Sequence, residues 1–312
     1  MRVGTRACTR RVVVLAALAV LAASCGGDES NSANSGMLKG ASFTVGSKEF
    51  TEQKILCEIT AQALEAAGAT VKRQCGLTGS ATVRTALTSG RIDMYWEYTG
   101  TGWITHLKNT RPIPDSGQQY QAVAKDDLAK NKIKWLDPAP FDNTYAIGVR
   151  KDFMPELKTI SDYAALVKSD PNKGSLCVAT EFTGRDDGLP GLEKAYGFSG
   201  EKTSTLKDGA IYDSVKKGSP CNFGEVFTTD GRIEGLGLRV LQDDKKFFPI
   251  YNPALNVRND VFAKNPRLAD VFEPIAKALD TKTMQKLNSD ADNQGDTPKQ
   301  IAEDFLKDKG LI

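Results

Sequence analysis

The chain has few of the side chains that enzymes use for chemistry. Its only histidine is His106, so a Ser-His-Asp unit, a histidine-bound metal or a histidine proton shuttle would depend on that one residue. The Gly-x-Ser-x-Gly, Gly-x-Gly-x-x-Gly and Gly-Lys-Ser/Thr motifs do not occur. Carboxylates are scattered, and the tightest charged cluster, Arg185-Asp186-Asp187-Gly188, is equally typical of a polar turn. The sequence therefore predicts no catalytic, cofactor or metal site.

Cysteine usage indicates an oxidising compartment. Cys8 and Cys25 lie near the N-terminus, and four cysteines remain in the body of the chain: Cys57, Cys75, Cys177 and Cys221. Four cysteines allow three pairings. We predict one disulfide between the first two, which lie at one edge of a parallel sheet, and one between the last two, which flank a helical hairpin. Free buried thiols are the alternative, and without a Cys-x-x-Cys motif zinc has no support.

The N-terminal segment has the layout of a secretory signal. Four arginines precede an apolar run over residues 12–23, which as a helix would be about 18 Å long against a hydrocarbon core of about 30 Å. The segment Leu-Ala-Ala-Ser-Cys at 21–25 resembles a bacterial lipobox, although Ala22 stands where leucine is usual. We predict a signal peptide over 1–24, lipidation of Cys25 and a flexible linker over 25–41. Secretion without a lipid is the alternative.

The rest of the chain is nearly neutral. The whole sequence has 41 Lys+Arg and 39 Asp+Glu, and without the four arginines of the signal the balance is 37 against 39. Such a chain, with no block of Lys or Arg, gives no electrostatic reason to expect nucleic acid. With 312 residues, 40% of them hydrophobic, it is large enough for two packed cores, and disorder, collagen and coiled coil are excluded.

Strands and helices alternate along the body of the chain. The first strands are predicted at 42–46, 69–75 and 92–95, with helices between them, and this order predicts a parallel sheet with right-handed crossovers. A further strand is predicted at 143–149. The alternation then restarts, with strands at 176–179, 225–228, 238–241 and 254–258 and a helical C-terminal tail. Two sets of α/β units predict two lobes, and a cleft between lobes is a favoured ligand site.

Several segments together resemble one protein family. They are Gly-Ser-Lys-Glu-Phe-Thr-Glu-Gln at 46–53, Ile-Asp-Met-Tyr-Trp-Glu-Tyr-Thr-Gly-Thr at 92–101, Asn-Thr-Tyr at 143–145, Thr-Asp-Gly at 229–231 and Phe-Phe-Pro-Ile-Tyr-Asn at 247–252. In this order and spacing, they resemble the substrate-binding proteins of osmoprotectant ABC importers, which bind glycine betaine, carnitine or choline.

The resemblance implies a ligand site made of two parts. The aromatic cage for a quaternary ammonium would be Tyr98, Tyr145, Phe227 and Tyr251. The partners of a ligand carboxylate would be Lys48, Thr101 and Arg185, and Asn143 would offer its backbone carbonyl. A trimethylammonium group has a full charge and no N–H, so aromatic ring faces can bind it where hydrogen-bond acceptors cannot. Phe227 departs from the family, which commonly has tyrosine there, and packing in the core is the alternative role for the tyrosines.

The resemblance also implies a fold and a cellular role. The fold would be α/β, two-lobed and periplasmic-binding-protein-like (type II), with the cleft between lobes and a two-strand hinge. Lobe 1 would comprise 42–142 plus 251–312, and lobe 2 would comprise 143–250. The protein would be a monomeric lipoprotein, without enzymatic activity, on the outer face of the cytoplasmic membrane. There it would deliver a quaternary ammonium solute to an ABC permease with ATPase subunits.

Two other functions remain open. The first is an extracytoplasmic dehydratase or lyase on the same scaffold, with Glu52, Glu97 or Asp230 as acid or base. Such an enzyme would convert its ligand, whereas a binding protein returns it unchanged. The second is a ligand-sensing lipoprotein that signals by closure, against which co-purification of a permease would argue.

Overall fold

The computed structural model describes Met1 and residues 36–312. The predicted signal peptide beyond Met1, the lipidation residue Cys25 and most of the predicted linker therefore lie outside the described residues. Within the described part of the chain, no helix combines the length and the apolar character needed to cross a membrane.

The first of two sheets contains five strands in the order β2-β1-β3-β10-β4. Their bounds are β1 Ser42–Lys48, β2 Thr70–Leu77, β3 Met94–Tyr98, β4 Ile133–Pro138 and β10 Pro253–Arg258. Strand β1 pairs in parallel with β2 and β3, as the alternation of strands and helices predicts. Strand β10 inserts antiparallel between β3 and β4, so a C-terminal segment completes the N-terminal sheet.

The second sheet has the order β7-β6-β8-β5-β9. Its strands are β5 Tyr145–Arg150, β6 Leu176–Val178, β7 Thr203–Thr205, β8 Phe223–Phe227 and β9 Leu238–Val240. Strand β6 is parallel to β7 and β8, whereas β5 is antiparallel to β8 and β9. The two sheets are the centres of the two lobes of an α/β fold, as expected from the sequence. The exact lobe boundaries stay a prediction.

Helices cover the faces of both sheets. They are α1 Thr51–Ala66, α2 Ser80–Thr88, α3 Ser116–Asn131, α4 Ile160–Ser169, α5 Leu189–Tyr196, α6 Asp208–Lys217, α7 Arg232–Gly235, α8 Asn259–Lys264, α9 Leu268–Ala278, α10 Thr281–Ser289 and α11 Pro298–Asp308. Helix α1 presents Ile55, Leu56 and Ile59 at helical spacing, and all three are fully buried in the first core. Because only two residues separate β1 from α1, the start of α1 lies beside the end of β1.

Two disulfides lie within residues 36–312. They join Cys57 to Cys75, which ties α1 to β2, and Cys177 to Cys221, which ties β6 to the segment before β8. These are the two pairs that the sequence predicts, and all four sulfurs lie in the two lobes rather than between them.

Two strands have no counterpart in the sequence prediction. Helix α3 ends at Asn131, the following residue Lys132 adopts a left-handed conformation at φ 59°, and β4 begins at the residue after it. Glycine is the usual residue in that conformation, so the break carries no signal in the sequence. Strand β7 is a three-residue edge strand of threonine and serine, two of whose side chains are exposed. It therefore lacks the apolar alternation that identifies a strand.

Candidate functional site

A cavity of about 740 Å³ lies against residues from both sheets. All four side chains of the expected aromatic cage line it, together with Lys48, Thr101 and Asn143 of the remaining expected site. Lys48, Tyr98 and Phe227 are the last residues of β1, β3 and β8. Ligands of α/β proteins bind beyond the carboxyl ends of strands, and the cavity occupies that position in both sheets.

The aromatic rings of the second sheet are neighbours because of strand register. Tyr145 and Phe227 are a cross-strand pair of β5 and β8, and their ring centroids are 5.1 Å apart. Tyr251 meets Tyr145 edge to face at 5.4 Å, a geometry that aromatic pairs favour. Tyr251 lies two residues before β10, whose first residue, Pro253, pairs with Tyr98. Register therefore accounts for the convergence of rings that are far apart in the chain.

Phe50 is a fifth aromatic ring in the cavity that the sequence interpretation missed. Its ring stacks on Phe227 at 5.2 Å and on Tyr98 at 6.2 Å, and it lines the cavity. Phe50 is the residue before α1, so it connects the ring of the first sheet with those of the second. The only signal was its place in the segment 46–53, which also reads as an ordinary start of a helix.

Lys48 is buried and already paired. Its Nζ donates to Glu97 at 2.6 Å and lies 5.1 Å from the centre of the Tyr98 ring. The Glu97 carboxylate also accepts from His106 at 2.8 Å and from the Tyr95 hydroxyl at 2.8 Å. Although burial opposes ionisation, Lys48 and His106 hold the pKa of Glu97 well below its usual range. A ligand carboxylate at Lys48 would therefore use its remaining N–H donors and lie close to the negative charge of Glu97.

Arg185 lies behind Thr101 and is not among the described residues that line the cavity. Its guanidinium donates to Asp187 at 2.6 and 2.7 Å, to Glu181 at 2.7 Å and to the Thr101 hydroxyl at 3.2 Å. The Tyr251 hydroxyl donates to the same Asp187 at 2.7 Å. Arg185 thus holds the Thr101 hydroxyl directly and the Tyr251 hydroxyl through Asp187. Its contact with a ligand carboxylate stays a prediction.

Glu52 connects the cavity with several parts of the fold. Its carboxylate accepts hydrogen bonds from Tyr98 at 2.7 Å, Asn143 at 2.9 Å, Thr229 at 2.6 Å and Asn288 at 3.0 Å. Burial raises the pKa of Glu52, and the hydrogen bonds to its ionised form oppose the increase. The Asn143 side chain thus donates to Glu52. The contact of its backbone carbonyl with a ligand stays a prediction.

The carboxylates of the enzyme alternative all have protein partners. Glu52 and Glu97 each accept three or more hydrogen bonds from side chains, as described above. Asp230 accepts from the backbone N–H and the Nε of Arg232, both at 2.9 Å. A carboxylate can accept about four hydrogen bonds, and protein groups supply at least three to each of these three.

Comparison with known proteins gives one consistent family. The model of the substrate binding domain of ABC-type glycine betaine transport systems matches residues 41–308. A glycine-betaine-binding protein of Pseudomonas aeruginosa is 37% identical over 89% of this chain and 91% of its own length. The glycine betaine-binding protein YehZ of Escherichia coli is 37% identical over 85% of this chain and 90% of its own.

A solved structure agrees with these relatives. A glycine betaine/carnitine/choline ABC transporter protein has a TM-score of 0.69 and 27% identity, over 86% of this chain and 98% of its own. The family match over residues 41–308 includes the strands of both sheets. The chain thus belongs to the family of substrate-binding domains of ABC-type glycine betaine transport systems.

Proposed function

We propose that the protein binds a quaternary ammonium solute, such as glycine betaine, carnitine or choline, in the ring-lined cavity and delivers it to an ABC permease. The observation that carries the proposal is the group of rings, Tyr98, Tyr145, Phe227 and Tyr251, which line one cavity. Each ring face contributes roughly 0.5–2 kcal/mol to the binding of a cation. Together they supply much of the roughly 8 kcal/mol that a micromolar complex requires.

The same proposal includes a role outside the cell's cytoplasm. The two disulfides support an oxidising compartment, and the sequence of residues 1–25 supports export and lipidation of Cys25. The protein binds without catalysis, and in support of this the three carboxylates of the enzyme alternative, Glu52, Glu97 and Asp230, are held by protein groups. A permease with its own ATPase subunits is the partner, and the protein works as a monomer.

Titration calorimetry with glycine betaine, carnitine and choline tests the proposal. At least one of them should bind in the micromolar range and be recovered with unchanged mass. Tyr145→Leu removes a ring of the cavity and should abolish the binding. The matched control Phe153→Leu changes a ring that packs against Phe223 instead and should leave affinity unaltered. Absence of heat with all three ligands, or conversion of a ligand to a product, would overturn the proposal.

A further inference from the structure

One wall of the cavity is acidic and adjoins the aromatic rings. Glu225 lies two residues before Phe227 on β8, so both side chains project from the same face of the sheet, roughly 7 Å apart along the strand. Glu225 lines the cavity, as do Glu181 and Asp208. The rings and the acidic wall are therefore parts of one continuous surface.

Glu225 is buried and only partly paired. It is 3% exposed, and its Oε2 accepts a hydrogen bond from the Ala179 N–H at 2.8 Å. Its Oε1 receives no hydrogen bond from any residue in the described part of the chain. That oxygen is not among the fully buried acceptors that lack a partner. It is open to the cavity that Glu225 lines, where a donor of a ligand can reach it.

Burial and the neighbouring carboxylates oppose the ionisation of Glu225. Burial raises the pKa of Glu225 to about 8, and repulsion from Asp208 and Glu181 adds to the increase. Burial likewise raises the pKa of Asp208 to about 6, with repulsion from Glu49 and Glu181 contributing. A cation held by the adjoining rings would favour the ionised form of Glu225. Lys207 and Arg232 also line the cavity, and Arg185 and Arg232 partly offset the increase in the pKa values of Glu225 and Asp208. Once ionised, Glu225 complements a hydrogen-bond donor of a ligand.

The two basic residues assigned to a ligand carboxylate are already neutralised. Lys48 is paired with Glu97, and Arg185 is paired with both Asp187 and Glu181. Lys48 keeps further N–H donors, but a ligand carboxylate there would place a second negative charge beside Glu97. Once Glu225 is ionised, by contrast, its Oε1 accepts a hydrogen bond from a ligand without displacing any protein donor.

We propose that Glu225 and the acidic wall form a second subsite, which binds a hydrogen-bond donor at the end of the ligand opposite the quaternary ammonium. The inference rests on the proposed function and names its ligand class. The site selects quaternary ammonium compounds that end in a hydroxyl or N–H group over those that end only in a carboxylate. Glu225 is then the residue that determines this specificity.

Three small ligands separate the contributions of the two subsites. Tetramethylammonium has only the cation, choline adds a hydroxyl, and glycine betaine adds a carboxylate. At pH 9, where Glu225 is ionised, choline should bind at least tenfold more tightly than either of the others. Glu225→Ala should reduce the ratio of choline affinity to tetramethylammonium affinity to about one. Glu225→Gln keeps an acceptor oxygen and should retain most of that ratio.

Asp213→Ala is the matched control, because Asp213 is an exposed carboxylate on α6 and should leave the ratio unchanged. If Glu225→Ala does not fold, Glu225→Gln alone tests the subsite. Loss of the negative charge should then lower the ratio of choline affinity to glycine betaine affinity at least fivefold. An unchanged ratio in Glu225→Ala, or tighter wild-type binding of glycine betaine than of choline, overturns the subsite and leaves the proposed function standing. Failure of all three ligands to bind overturns both.

Discussion

The hydroxyl of Tyr98 donates a hydrogen bond to the buried carboxylate of Glu52 at 2.7 Å. Tyr98 ends a strand of the first sheet, while Glu52 also accepts from Asn143 and Thr229 near the second sheet. This hydrogen bond therefore holds a ring that lines the cavity close to Asn143, which lies just before the second sheet. Tyr98 therefore has two roles: the face of its ring lines the cavity, and its hydroxyl holds Glu52.

Substitution of Tyr98 should separate these functions. Tyr98→Phe keeps the ring face, so ligand affinity should stay within about threefold, while loss of the hydrogen bond to Glu52 should lower the free energy of unfolding by about 1–2 kcal/mol. Tyr98→Ala removes the ring and should abolish detectable binding. Calorimetry and urea unfolding of both variants measure the two effects. Equal loss of binding in both variants would mean that the hydroxyl, and not the ring face, contacts the ligand.

The two disulfides should contribute unequally to stability. The Cys57–Cys75 bond closes a loop of 18 residues and the Cys177–Cys221 bond a loop of 44. Loop entropy in the unfolded chain predicts losses of about 3 kcal/mol and about 4 kcal/mol when each is replaced by a serine pair. Denaturant unfolding of the two double variants tests the order. A larger loss for the shorter loop would contradict the loop-entropy explanation.

Glu225 should make stability depend on pH. Its pKa is raised from 4.5 to about 8 in the folded protein, so between these values the folded state keeps a proton that the unfolded state has released. The free energy of unfolding must therefore fall as pH rises through this window. At about 1.4 kcal/mol per pKa unit, Glu225→Gln should gain at least about 2 kcal/mol relative to wild type between pH 5 and pH 8.5.

Urea unfolding of wild type and Glu225→Gln at both pH values gives that difference directly. Other titrating groups, such as Asp142 with a pKa raised by burial to about 6, are present in both proteins and cancel. Parallel pH dependences of the two proteins would show that Glu225 is as easily ionised in the folded as in the unfolded chain.

Glu181 joins the two sides of the cavity at its rim. Its carboxylate accepts from the Ser80 N–H at the start of α2, at 2.9 Å, and from Arg185 at 2.7 Å. Helix α2 packs on the first sheet, whereas Glu181 follows β6 of the second. Glu181→Ala should therefore favour an open arrangement, with an increased radius of gyration in small-angle scattering and about tenfold weaker ligand binding. An unchanged radius together with unchanged affinity would exclude this role.

The sequence predicted most of the fold because burial produces regular patterns. The stripe of Ile55, Leu56 and Ile59 marks α1, and the alternation of strands and helices predicts the parallel pairing of β1 with its neighbours. The strand after Lys132 was missed because a lysine takes the left-handed conformation that glycine usually marks. Local sequence patterns therefore predict helices and strands well where buried residues recur at a regular spacing. They fail where the residue that ends a helix is not one of the usual types.

The site required information of a different kind. The meeting of Tyr145 with Phe227 depends on strand register across about eighty residues of chain, which periodicity does not specify, so the expectation came from the family resemblance. Phe50 looked like part of a helix start, and Glu225 looked like one polar residue in a short strand. Their positions beside the cavity follow from tertiary packing. The pairing of Lys48 with Glu97 was likewise invisible in the sequence.

The central claim is that aromatic rings in one cavity recognise a fixed positive charge. Choline and 3,3-dimethylbutan-1-ol have nearly the same shape, and a carbon replaces the charged nitrogen in the second. Calorimetric titration with both should give micromolar binding of choline and at least about hundredfold weaker binding of the alcohol, because only the cation is attracted to the ring faces. Comparable affinities for the two compounds would contradict the claim and indicate a merely apolar cavity.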